Sequence, residues 1–262
     1  MSKNIETPGN PHSKRKSPAS AGATALWHVL LKEGRGQAAL DAARLLASGE
    51  TVVNEEFAEL ERSRPLLILL RLQRWDELLR EPVAYGRRGV AAALYFYARG
   101  IAFAHLGELA LAREAMKRLE PIASTIAGSH AKDETLDKTM RSLALVTREQ
   151  LRAEVALAEG KTETAIRHQK SASAFAQYLE EAQAPVMADN SILALANLQM
   201  RARQWPEAEQ TYRNYLFFNP ACGWALQGLI HVVKAQGREE EIKKLTVDLK
   251  RSWPGADTSL LN

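Results

Sequence analysis

The chain is predicted to be all-α, a right-handed helical-repeat solenoid of antiparallel helix pairs with about six units. Three observations predict it. Ala, Leu, Glu, Gln, Arg and Lys dominate, and apolar residues recur at three- and four-residue spacing, the helical period. No segment alternates as a strand would. A short turn signature recurs six times along the chain, which marks an array of paired helices.

The 262 residues, 46% hydrophobic and 25% charged, supply a sizeable core. Residues 1–20 do not belong to it. They are rich in Ser, Pro, Asn, Lys and Gly, with too little apolar surface to offset the entropy of ordering, and are expected to form a disordered basic tail. Lys3, Lys14, Arg15 and Lys16 against Glu6 place most of the formal charge of +4 there. The body, 21–262, is nearly neutral, whereas a nucleic-acid-binding domain carries its basic patch on the fold.

Within the body, Ala39-Leu40, Ala42-Ala43 and Leu45-Leu46 form one amphipathic stripe, and Leu193, Ala196, Met200 and Ala202 another. Neither helix would be stable alone. The connections read Gly34-Arg35, Gln73-Arg74, Gly107-Glu108, Gly160-Lys161, Arg203-Gln204 and Gly237-Arg238. Four use glycine, which caps a helix in the left-handed conformation before the chain reverses. Five residues after each first member stand Ala39, Leu78, Ala112, Ala165, Ala208 and Ile242, at the point where two helices cross closely. Pro220 and Pro254 each end a second helix. The units fall near 21–58, 59–92, 93–126, 127–188, 189–222 and 223–256.

The unit 127–188 is long because its helices are extended. Gly128, Ser129, Asp133 and Glu134 suggest a short polar loop, after which Leu136, Met140, Leu143 and Val146 resume the helical period; from Thr162 to Glu181 the pattern runs unbroken to Pro185. Two apolar stretches are not read as membrane or export segments. Trp27, His28 and Lys32 interrupt the run Ala21–Leu31, and Asn219-Pro220, Gly223, Gln227 and His231 interrupt Asn214–Val233.

Small residues at Ala196 and Ala208, an aromatic at Tyr212 and proline at Pro220, repeated in part by Gly100, Ala112 and Met116, resemble the tetratricopeptide repeat family. The run Leu67 to Leu79, Tyr97-Ala98-Arg99-Gly100, Asn219-Pro220 and Gly223-Trp224-Ala225-Leu226 are similar to segments in the C-terminal half of longer bacterial tetratricopeptide proteins without an assigned function. The resemblance implies a shorter relative of those proteins and supports the helical-repeat fold. It supplies no substrate.

Catalytic signatures are missing. There is no phosphate-cradling glycine loop, dinucleotide-binding glycine cluster or serine elbow. His12, His28, His105, His130, His168 and His231 stand singly, so no metal site is expected, and the acidic runs 55–56, 180–181 and 239–241 point in different directions around their helices. The tryptophans are read as packing between helix pairs, with Trp224 the one most suited to a ligand. The lone Cys222 fits a reducing compartment, and the expected location is the cytoplasm.

Function in such an array lies on the concave face lined by first helices. The candidate groove residues are Tyr97, Gln150, Glu154, Asn190, Asn197, Trp224, Gln227, His231 and Lys234. Asn and Gln offer donor and acceptor to a peptide backbone without demanding charge. The expectation is a non-catalytic protein- or peptide-binding scaffold, without cofactor, metal or membrane span, with self-association open. The alternatives are an interaction subunit of an RNA-related assembly contacting phosphates through the basic tail, and an enzyme with a site on the inserted helices.

Overall fold

One turn, used six times, builds the array. In the computed structural model the residue that closes the first helix of each pair is left-handed: Gly34 (φ 73°), Gln73 (55°), Gly107 (80°), Gly160 (77°), Arg203 (58°) and Gly237 (72°). The next N–H then reaches the carbonyl five residues back, as in Arg35 to Leu30 at 2.9 Å and Lys161 to Ala156 at 2.8 Å, with the same bond at Arg74, Glu108, Gln204 and Arg238. This satisfies carbonyls that the helix end would otherwise orphan. Gln73 and Arg203 adopt the conformation with an L side chain, at a steric cost that glycine avoids.

The structure describes residues 26–48, 55–82, 89–129, 134–181, 185–257 and 260, and within them not the side chains of 55–58, 134–136, 177, 178, 180, 181 and 185–190. The expected tail, 1–20, lies outside the described residues. The helices are α1 (26–32), α2 (Gly36–Ala47), α3 (Glu55–Arg62), α4 (Arg64–Arg71), α5 (Trp75–Arg80), α6 (Gly89–His105), α7 (Leu109–Gly128), α8 (Glu134–Ala158), α9 (Thr162–Glu181), α10 (Pro185–Arg201), α11 (Trp205–Phe218), α12 (Gly223–Ala235) and α13 (Glu239–Ser252). Among the described residues there is no strand.

Packing follows chain order from α4 to α13, and the first helices also touch one another: α4 on α6, α6 on α8, α8 on α10 and α10 on α12. The close crossings explain the small residues after each turn. Ala39, Leu78, Ala112, Ala165 and Ala208 are fully buried, whereas Ile242, in the last helix, is partly covered. Helix α3 leads into α4 through Ser63, whose hydroxyl donates to Glu59 O at 2.8 Å. Helix α7 continues past Pro121 to Gly128. The extended pair is α8 and α9, of 25 and 20 residues.

The ends of the array meet. Trp253 Nε1 donates to Lys32 O at 2.8 Å and Trp224 Nε1 to Leu31 O at 3.0 Å. Asp257 accepts from Gln37 N at 2.8 Å, and its own N–H donates to Gly34 O at 3.0 Å. The first pair is therefore joined directly to the last segment of the chain. These bonds join residues 193 to 221 positions apart in the chain. No described helix is long and apolar enough to cross a membrane, and Asn214–Val233 spans the end of α11, a turn and most of α12.

Candidate binding chamber

Helices α4, α6, α8 and α10 turn one face each toward the middle of the closed array. Side chains four residues apart share a helix face, so Tyr97, Ile101 and His105 from α6, Gln150 and Glu154 from α8, and Asn197 and Arg201 from α10 converge. With Leu70, Arg71, Gln73 and Trp75 from the second pair, and Gln169 from α9, they line a chamber of about 230 Å³.

A charged node ties three helices together on one side. Arg201 Nη1 lies 2.5 Å from Glu154 Oε2 and 3.0 Å from His105 Nε2, which is 3.5 Å from the same carboxylate oxygen. Trp75 stacks on the His105 ring with centroids 4.3 Å apart. Burial pushes the Glu154 carboxyl up, yet the His105 hydrogen bond and the adjacent Arg201 charge outweigh it and hold the group at about 2. Glu154 is thus ionised across the physiological range.

A neutral chain of hydrogen bonds occupies the other side. Tyr97 donates to Gln150 Oε1 at 2.5 Å, Gln150 Nε2 donates to Ser191 Oγ at 3.4 Å, and Gln169 Nε2 donates to Ser191 O at 3.1 Å. Burial, with the Glu154 charge, pushes the Tyr97 phenol far above its ordinary range, so it remains a donor. Tyr212 donates to Asn197 Oδ1 at 2.5 Å.

Part of the lining is uncommitted. Among the described residues, the Asn197 amide nitrogen, the Gln73 side chain, the Trp75 indole N–H and the Nε and Nη2 of Arg201 make no hydrogen bond. Apolar contact comes from Trp75, Ile101, Ala194 and Met200.

Of the residues singled out from the sequence, Tyr97, Gln150, Glu154 and Asn197 meet at the chamber. The Asn190 side chain lies outside the described residues. Trp224, Gln227, His231 and Lys234 stand on α12 and do not line it. Trp224 bonds to Leu31 O and Gln227 Nε2 donates to Leu260 O, so both side chains hold the chain to itself; His231 and Lys234 are exposed. Sequence reasoning missed Arg71, Gln73, Trp75, His105, Gln169 and Arg201. Stepping four residues along a helix from Tyr97 and from Asn197 would have named Ile101, His105 and Arg201.

His168 and Glu149 form a separate pair on the extended helices, with Nδ1 2.7 Å from Oε2. Glu149 also takes Arg152, which forks onto Glu120, so this cluster binds α7, α8 and α9 together. Among the described residues no group of three or more His, Cys, Asp or Glu side chains is placed to hold a metal ion.

No family model matches the chain, and no curated protein matches it. Among solved structures, one with similarity is the crystal structure of a Rap protein complexed with Competence and Sporulation Factor. That likeness has a TM-score of 0.36 and 16% identity, and covers 90% of this chain and 78% of that one. At this distance the reading of the chamber rests on the chain's own residues.

Proposed function

We propose that the chain is a tetratricopeptide-like, non-catalytic scaffold that binds a short segment of a peptide or protein partner in the central chamber. The observation that carries this reading is the uncommitted polar lining. Asn197, Gln73, Trp75 and the free edge of Arg201 offer hydrogen bonds beside an apolar wall, a combination suited to an amide-bearing segment. A general acid or base needs a pKa near the working pH. Glu154, held at about 2, and the far-raised Tyr97 are positioned as fixed polar groups instead.

The test is a selection of displayed random peptides on the purified protein, repeated with a Gln73→Ala/Asn197→Ala variant whose fold is checked by circular dichroism. The reading expects peptides that bind the wild type and lose at least about tenfold in affinity, about 1.4 kcal/mol, on the variant. Peptides that bind both equally would place the partner elsewhere on the protein.

A further inference from the structure

Helix α11 ends with two aromatic rings in water. Phe217 and Phe218 are 80% and 79% exposed, meet edge to face with centroids 5.0 Å apart, and pack into none of the core clusters. The exposed run continues through Asn219, Pro220 and Ala221, and no Asp, Glu, Lys or Arg occurs from Asn214 to Val233. The result is an uncharged apolar projection. Scattered single apolar residues on a surface need no explanation, but two adjacent rings held in water do.

Helix α13 supplies charge beside the rings. Two ion pairs, Arg238 with Glu209 and Arg213 with Glu241, set α11 and α13 parallel and side by side. Carried forward one turn, that register brings Phe217 and Phe218 level with residues 245–247, and Val247 is itself 55% exposed. The charge of α13 is divided along its length. Its first turn, Glu239 to Glu241, is acidic and lies away from the rings. The part beside and beyond them carries Lys243, Lys244, Lys250 and Arg251 against Asp248 alone. Lys243 and Arg251 are held only by the exposed carboxylates of Glu240 and Asp248, pairs of little strength in water. Among the described residues, Lys244 and Lys250 make no ion pair.

We propose that this outer surface of the last two helix pairs docks on an anionic membrane, with Phe217 and Phe218 entering the boundary between headgroups and acyl chains and the α13 cations lying over the phosphates. The chemistry of the patch selects this occupant. Projecting apolar rings on an uncharged stretch can enter the interface without dehydrating a charge, and cations beside them add attraction over a negative surface. A second copy meeting the same patch across a two-fold axis would set these cations against one another. Docking of this kind needs no membrane-spanning helix. It is also independent of the peptide-binding reading, because none of these residues lines the chamber.

The test is co-sedimentation of the full chain with vesicles of phosphatidylglycerol and, separately, of phosphatidylcholine. Binding to the anionic vesicles should be at least about tenfold tighter and should weaken as salt is raised. Phe217→Ser/Phe218→Ser should bind the anionic vesicles at least about tenfold more weakly, with an unchanged melting temperature because neither ring packs on the core. Lys244→Gln/Lys250→Gln should lower both the affinity and its salt dependence. A wild type that pellets with neither kind of vesicle would overturn the proposal, as would a Phe double variant that pellets as well as the wild type. Equal binding of the wild type to both lipids would overturn the part given to the α13 cations. A wild-type dimer in sedimentation equilibrium that the Phe variant loses, without vesicle binding, would assign the rings to a second copy instead; a soluble protein partner lost in the same variant, again without vesicle binding, would assign them to that partner.

Discussion

Tyr97 on α6 and Gln150 on α8 meet through a 2.5 Å hydrogen bond between two buried side chains. This bond fixes the spacing of the central first helices and the orientation of the Gln150 amide. Tyr97→Phe keeps the ring and removes the donor, leaving a buried acceptor unpaired. The expected loss of stability is about 1–2 kcal/mol, measured by urea denaturation. An unchanged midpoint would mean that Gln150 re-pairs at no cost.

The Glu154 node has a definite pH dependence. A carboxyl lowered to about 2 in the folded protein from 4.5 contributes stability that is complete above its unfolded value and is lost as pH falls from about 4.5 through about 2. The shift corresponds to about 3 kcal/mol, reduced to about 2 kcal/mol by solvent around the partly exposed Arg201. Glu154→Gln is expected to remove this increment at pH 7 and to flatten the acid limb of the stability curve. A variant whose acid limb matches the wild type would place the contribution elsewhere.

The repeated turn yields paired predictions of opposite sign. Gly160 is left-handed with open space around it, so Gly160→Val tests backbone strain without a packing term and should cost more than about 1 kcal/mol. Arg203 adopts the same conformation with a side chain, and Arg203→Gly should be neutral or gain up to about 1 kcal/mol. Thermal melts of the two variants should move apart; shifts of the same sign would remove the common explanation.

Gly228 is a packing requirement. A Cβ there would lie 2.3 Å from the ring of Tyr212, which is 1% exposed and holds Asn197. Gly228→Ala should cost about 1–3 kcal/mol through overpacking and should weaken ligand binding at Asn197. Wild-type stability with intact binding would show that α11 and α12 separate easily.

Local chemistry explains why the array was legible. The turn pairs from Gly34-Arg35 to Gly237-Arg238 mark chain reversals because a left-handed cap and a close helix crossing constrain residues next to each other in sequence. The same holds for the length of α8 and α9, read from unbroken apolar spacing, and for the proline stops after α11 and α13. Leu45 shows the limit of periodicity: it lies on a predicted apolar stripe and is 75% exposed.

The chamber was legible in part. Tyr97, Gln150, Glu154 and Asn197 could be assigned to the inner face because helix phase is a property of one segment. The partners Trp75, His105 and Arg201 depend on how successive pairs rotate, a small angle per pair that adds along the array and is recorded in no single segment. The sequence by itself determined the paired helices and their turns, and on α6, α8 and α10 the inward positions of Tyr97, Gln150, Glu154 and Asn197, since these follow from backbone conformation and spacing within about ten residues. Only the tertiary structure decided that Trp253 and Asp257 would cap a helix end more than 200 residues away, because closure depends on the summed rotation of every pair between them.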